Sequence, residues 1–241
     1  MTTDEIWLRS LAQKNDVTIT DIQFQKLSHY VELLKEWNKR INLISRKDVA
    51  DIWTNHILLS LAFLFKVEIA NGARILDLGT GGGLPGIPLS ILRPEVAFVL
   101  LDSIHKKTKA VEEMTTSLDL ANVSVICSRA EDLNTVKNYQ NAFDAVIARA
   151  VSGLENLVRW GMPFLKKTAP PIASRINSNK IIVSNSPVLI TMKGGNTELE
   201  IEKTLKRFSD VKIHSIDLTF KGSELLQNSD KKLIVVEDLK R

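Results

Sequence analysis

Apolar positions return every three or four residues through the first 70 positions of the chain, the period of a helix with one buried stripe. In "ITDIQFQKLSHYVELLKEWNKRIN" the stripe is Ile22, Leu27, Tyr30, Val31, Leu34 and Trp37, and Thr20 or Asp21 stands where an N-cap belongs. "RKDVADIWTNHILLSLAFLF" repeats the pattern with Val49, Ile52, Trp53, Ile57, Leu61 and Leu64. At this spacing Trp37 and Trp53 read as core. No strand pattern precedes the turn at Asn71–Gly72. The expected organisation is a helical region over 1–70 and a second unit over 71–241.

From Ala73 the rhythm changes. Short apolar runs ("RILDLG", "VAFVLLD", "VSVICS", "FDAVIAR", "VLITMKG") alternate with helical segments such as "KKTKAVEEMTTSLDL" and "GLENLVRWGMPFLKK". Strands alternating with helices predict a parallel, doubly wound α/β sheet. The tail departs from this, because "DVKIHSIDLTF" and "KKLIVVEDL" flank a polar turn and predict an antiparallel pair. Between the fourth helix and the fifth strand lies an unusually long passage from Lys166 to Ser186, with Pro170–Pro171 and a candidate extra strand, "KIIVS".

Composition narrows the function classes. The chain of 241 residues is 44% hydrophobic and carries a formal charge of +4, a basic excess that permits a polyanionic partner without establishing one. Cys127 is the only cysteine, so no intrachain disulfide can form. His29, His56, His105 and His214 are scattered, and no metal site is expected. Neither a signal peptide nor a membrane span is apparent, which predicts a cytoplasmic protein.

The chemistry concentrates in "ILDLGTGGGLPGIPL", where five of eleven glycines fall between Gly79 and Gly86 directly after a strand-like run. Gly81, Gly83 and Gly86 make the G-x-G-x-x-G spacing of dinucleotide loops, whereas Asp77, Gly79, Gly81 and Gly83 make the D-x-G-x-G-x-G of class I S-adenosylmethionine-dependent methyltransferases. Asp102, ending the second strand, suits ribose hydroxyls in either case. Three features favour the methyltransferase: the acid before the first glycine, expected near the amino-acid end of the ligand; Pro85, where a pyrophosphate-binding helix should open; and the antiparallel tail. Arg149 ends an apolar strand at the carboxyl edge of the sheet. It needs an anionic partner there, either a ligand or an acid such as Asp77 or Asp144.

Taken together, "ILDLGTGGGLPGIPLSILRPE", "LLDS" followed by Lys106–Lys107, "SRAEDL" and "FDAVIARAVSGLENLVRW" resemble the bacterial small-subunit ribosomal RNA guanine-N7 methyltransferases, the glucose-inhibited division protein B family. Upstream, "LKEWNKRINLIS" and "IWTNHILLSL" are similar to its helical signature, and the likeness covers about residues 30–165. The resemblance implies a Rossmann-like methyltransferase sheet preceded by a helical extension. It assigns S-adenosyl-L-methionine contacts to Gly79, Leu84, Ala130, Glu131 and Arg149, to which the residue reading adds Gly81 in the loop and Asp102. It further implies 16S ribosomal RNA or the small subunit as partner, and a monomer is expected. His56 and Asn42 belong to the resembling segments, His56 either bonding within the fold or approaching cofactor or RNA. The long 166–186 passage departs from the short glycine turn usual in the family.

Two basic clusters are candidate RNA contacts. Between Asn156 and Thr197, Arg159, Lys166, Lys167, Arg175, Lys180 and Lys193 occur with no acid among them; Lys106, Lys107 and Lys109 form the second cluster. The expected activity is methylation of guanine N7, whose in-plane lone pair needs no general base, so no catalytic triad is expected. The alternative activities are a small-molecule or protein methyltransferase and a nicotinamide-dependent oxidoreductase. A third is an RNA-binding module without turnover.

Overall fold

A computed structural model describes residues 3–167, 176–177, 180–183, 187–225 and 230–239. Two helices open the chain, α1 (Thr3–Lys14) and α2 (Asp21–Asn38). Thr20 caps α2 in a reciprocal box with Gln23, so the helix starts where the capping signal predicts. Ile22, placed in the apolar stripe by its spacing, is instead 67% exposed on the first turn, and Phe24 is buried in its place. Trp37 and Trp53 pack against the core, Trp53 stacked on Phe24 at 5.5 Å. A π-helical stretch (Trp53–Leu58) runs directly into α3 (Leu59–Lys66).

The central sheet contains β2 (Arg74–Leu78), β3 (Ala97–Asp102), β4 (Val123–Cys127), β5 (Ala145–Arg149), β8 (Val188–Lys193), β9 (Val211–Asp217) and β10 (Lys232–Asp238), in the order β4-β3-β2-β5-β8-β10-β9. The first five strands run parallel, and β10 lies antiparallel to both β8 and β9, as the tail pattern predicts. Helices α4 (Gly86–Leu92), α5 (His105–Ser117), α6 (Ala130–Leu133), α7 (Leu154–Gly161) and α8 (Glu198–Arg207) connect the strands. Strand alternation divides the core between two faces. Ile75, Phe98 and Leu100 pack with Leu8, Leu27, Tyr30 and Leu34 of the N-terminal helices, while Leu76, Leu78, Val146 and Ala148 pack with Leu154, Leu157 and Val158 of α7. The N-terminal helices thus share one core with the sheet.

A second, smaller sheet was not foreseen. Strand β1 (Val67–Ile69) pairs in parallel with β7 (Lys180–Val183), which pairs antiparallel with β6 (Ile176–Asn177). The absence of strand signals before Asn71 is corrected by this pairing: three residues are too few to show a period, and the partner comes from the far side of the long 166–186 passage. The candidate extra strand forms over Lys180–Val183, and Ser184 lies outside the described residues. Pro170, Pro171 and Arg175 lie outside the described residues.

Strand β2 sits at the switch point, with β3 and β4 on one side and β5 onward on the other. In open α/β sheets this arrangement opens a crevice at the carboxyl ends of the strands.

Candidate functional site

The crevice is a cleft of about 560 Å³, of the size of small-molecule sites. Its walls come from the loops after β2, β3, β4 and β5, closed on the remaining side by Leu43, Ile44, Ser45, Asp48 and His56.

The loop after β2 is held from beneath. Gly79, Gly81 and Gly83 have φ of +75°, +58° and +93°, conformations that side-chain-bearing residues rarely adopt. Asp77 is fully buried; its Oδ2 accepts from Thr80 Oγ1 at 2.7 Å and from Gly86 N at 3.0 Å. A Cβ on Gly86 would stand 2.2 Å from Leu100 Cδ2 and 2.7 Å from Asp77 Oδ2, so only glycine lets α4 begin there. Tyr30 donates its hydroxyl to Gly82 O at 2.9 Å, tying the loop to α2. Asp77 is absent from the cleft lining, so the expectation that it meets the amino-acid end of a ligand is replaced by a structural role. Burial pushes its carboxyl up to about 6.

Asp102 does face the cleft. Its Oδ2 accepts from Gly81 N at 3.0 Å and its Oδ1 from Ile104 N at 2.9 Å, which fixes the carboxylate between two loops. Each oxygen keeps a lone pair free for a hydroxyl donor. Ala130 and Glu131 open α6 on the same side, Ala130 buried and Glu131 exposed. Leu84 is buried at the loop's edge and Lys107 is half-buried at the start of α5. Gly79, Gly81, Leu84, Asp102, Ala130, Glu131 and Arg149, separate in sequence, all line this one cleft.

Arg149 ends β5 on the cleft wall. Its partner is neither Asp77 nor Asp144: the guanidinium donates to His56 Nδ1 and, at 3.4 Å, to His56 O. Asp144 is held by Lys166 and by Arg74 N. The π-helical turn sets His56 at this point, with Nε2 3.5 Å from Asp48 Oδ2. Burial, reinforced by the Arg149 charge, lowers the imidazole to about 4, so it is neutral at pH 7 and accepts at Nδ1. Among the described residues no carboxylate ion-pairs with Arg149, and its charge meets the cleft compensated only by a neutral ring and more distant acids.

The basic clusters divide. Lys166 binds both oxygens of Asp144 at 2.8 Å, and Lys193 binds Glu200 Oε1 at 2.8 Å and Ser152 O at 2.6 Å. The stretch without acids in sequence is therefore supplied with acids by the fold. Arg159 is exposed, bonded to Asn156 and set over Trp160. Lys167 is exposed. Lys107 lines the cleft and Lys106 lines a neighbouring groove. Among the described residues no group of three or more His, Cys, Asp or Glu is placed to hold a metal, and no helix is long and apolar enough to cross a membrane.

A model of the GidB family, rRNA small subunit methyltransferase G, matches residues 23–180, well over half of the chain. The chain belongs to this family. It is 38% identical to the ribosomal RNA small subunit methyltransferase G of Chlorobium luteolum, over 87% of this chain and 82% of that one. It is 45% identical to that of Christiangramia forsetii over 62% and 68%, and 37% identical to that of Acetivibrio thermocellus over 81% and 80%. Among solved structures, a Pyrococcus horikoshii protein described as a transferase superposes with a TM-score of 0.50 at 10% identity, over 80% of this chain and 63% of that one, a likeness of fold alone. The sheet is that of the class I methyltransferases.

Several cleft residues of this GidB-family chain had no sequence signal. Leu43, Ile44 and Ser45 reach the cleft because Asn38 Oδ1 accepts from Leu43 N at 2.8 Å and Ile44 N at 3.0 Å, pinning the segment after α2. Val151 packs over Gly79, within 2.6 Å of where a Cβ would be. Trp160 lines the cleft from α7 with its buried Nε1 unbonded. Of the two expectations for His56, the bond within the fold is made, to Arg149 on the cleft wall.

Proposed function

We propose that the protein, an rRNA small subunit methyltransferase by family, transfers the methyl group of S-adenosyl-L-methionine to N7 of a guanine in 16S ribosomal RNA. The observation that carries the cofactor reading is the charge arrangement of the cleft. A fixed carboxylate, Asp102, and a half-buried guanidinium without a carboxylate ion pair, Arg149, stand on separate walls of one pocket. Such a pair fits a ligand with ribose hydroxyls at one end and an α-carboxylate at the other. Trp160 Nε1 is a further unbonded donor in the wall. When bound, S-adenosyl-L-methionine supplies a methyl group on a sulfonium centre.

The residues then have distinct tasks. Asp102 takes the ribose hydroxyls, with Gly81 N and Ile104 N keeping its carboxylate in place. Arg149, aimed by His56, takes the carboxylate. Leu84 covers an apolar face, and Ala130 and Glu131 stand at the base edge. N7 of guanine bears a lone pair and no proton, so none of these groups has to remove a proton. Asp77, the carboxyl with the raised pKa, is sealed beneath the glycine loop and takes no part in proton transfer. Catalysis by alignment alone can supply roughly 7–11 kcal/mol. Bringing N7 to the methyl group requires the base to be unstacked or presented in a loop.

Incubation with methyl-labelled S-adenosyl-L-methionine and under-methylated small ribosomal subunits, followed by digestion to nucleosides, tests the reading. Labelled 7-methylguanosine, lost in Arg149→Ala, is the expected product. Label in another nucleoside would overturn N7, and cofactor binding without transfer to RNA would favour a small-molecule or protein substrate.

A further inference from the structure

A second groove of about 600 Å³ adjoins the cleft, lined by α2 residues from Glu32 to Asn38, by Lys39 and Arg40 after it, by Ile41, Asn42, Arg46 and Val49, and by Lys106 of α5. Its relation to the cleft is set by one segment. Leu43, Ile44, Ser45 and Asp48 line the cleft, whereas Arg40, Ile41, Asn42, Arg46 and Val49 line the groove. The start of α5 repeats the division: Ile104 and Lys107 line the cleft and Lys106 the groove. The two depressions therefore share both walls.

The charges in the groove are sorted by pairing. Lys35 holds Glu32 at 3.0 Å and Lys39 holds Glu36 at 2.6 Å, which leaves the acids neutralised within α2. Arg40, Arg46 and Lys106 are exposed and, among the described residues, make no close ion pair; Arg40 feels only the more distant charge of Glu36, which Lys39 already holds. Arg40 is steadied by Trp37, its guanidinium 5.3 Å from the ring centroid. Three cations free of close ion pairs, Arg40 and Arg46 flanking the residues pinned by Asn38 and Lys106 on α5, form a track for an anionic polymer. By contrast, two lysines of the 156–197 stretch already carry acids, Asp144 and Glu200.

We propose that this groove binds the phosphate backbone of the substrate RNA next to the target base, using Arg40, Arg46 and Lys106, so that the RNA approaches over the N-terminal helices. The inference rests on the methyltransferase reading for its partner and adds the surface by which the partner docks. Asn42, exposed in the groove lining, is available to a ribose or phosphate oxygen.

The test uses the full chain and 16S ribosomal RNA lacking the modification. Dissociation constants are measured between about 50 and 200 mM KCl for the parent protein, for the triple variant Arg40→Gln, Arg46→Gln, Lys106→Gln, and for a control triple, Arg159→Gln, Lys167→Gln, Lys109→Gln. Each lost phosphate contact should reduce the slope of log K against log salt by about 0.7–0.9. The groove variant should bind RNA on the order of tenfold more weakly at the same salt, with a flatter slope. Its KM for RNA should rise, while its melting temperature and its affinity for S-adenosylhomocysteine stay at the parent values. Unchanged RNA affinity and slope in the groove variant, or a loss confined to the control triple, overturns the proposal. Failure of the methyltransferase reading would show separately, as absence of methyl transfer by the parent protein.

Discussion

The guanidinium of Arg149, at the end of β5, is bonded to the imidazole of His56, 93 residues earlier in the chain. A half-buried cation held by a neutral acceptor keeps its charge available for a ligand, which a salt bridge would not. The guanidinium can only donate, so Nδ1 must accept and the ring must be neutral, which its lowered pKa secures across the physiological range.

His56→Leu should therefore weaken binding of S-adenosylhomocysteine by about 1–3 kcal/mol, because Arg149 loses its acceptor and its aim. His56→Gln keeps an acceptor oxygen and should recover part of the loss. Calorimetric titration of both variants separates the positioning role from simple packing: equal losses in the two would refute it.

The pH dependence of stability carries two opposed signatures. His56 falls from an ordinary 6.5 to about 4 in the folded protein, so its contribution is present above about 6.5 and lost as pH drops towards 4. Asp77 rises from 3.8 to about 6, so it favours the folded state below about 3.8 and loses that contribution as pH climbs through 6. Each amounts to ~3 kcal/mol, and between pH 4 and 6 they largely cancel. Denaturant titrations should show a weak pH dependence there in the parent, increasing stability with pH in Asp77→Asn, and decreasing stability with pH in His56→Gln.

Gly86→Ala and Gly81→Ala distinguish close approach from backbone conformation. At Gly86 the new Cβ strikes Leu100 and Asp77, and a loss of at least ~1–3 kcal/mol is expected. At Gly81 the nearest atom is 4.0 Å away, so only the left-handed backbone resists, at about 1–2 kcal/mol. Urea unfolding measures both; equal or inverted costs would refute the packing account of α4.

Tyr30→Phe removes the hydroxyl that donates to Gly82 O. It leaves a buried carbonyl unsatisfied, at a cost of about 1–3 kcal/mol and roughly 2–4 °C in Tm per kcal/mol. A parent-like Tm would show that the glycine loop does not depend on this tie to α2.

Local patterns made much of this protein legible. The alternation of apolar runs and amphipathic segments specifies a parallel sheet with an antiparallel tail, because a strand buried on both faces and a helix buried on one have different periods. The capping box at Thr20 marks the start of α2. The glycine-rich run after an apolar strand marks the loop at the carboxyl edge of the sheet, and three of its glycines take positive φ there. Gly79, Leu84, Asp102, Ala130, Glu131 and Arg149 share a cleft because they follow the carboxyl ends of neighbouring parallel strands, a consequence of strand order.

What the tertiary structure alone decided concerns partners distant in sequence. Asp77 and Asp102 are both acids near a strand's carboxyl end and on the same face of the sheet, yet Asp77 pairs level with Leu100, two residues short of Asp102, so one lies under the glycine loop and the other reaches the cleft. Lys166 and Lys193 stand in a stretch without acids, yet Asp144 and Glu200 reach them from outside it. Strand β1 exists only because β7 returns to pair with it. A sequence records each residue's periodicity and chemistry, but hydrogen-bond and charge partners are fixed by which backbone segments the core brings together.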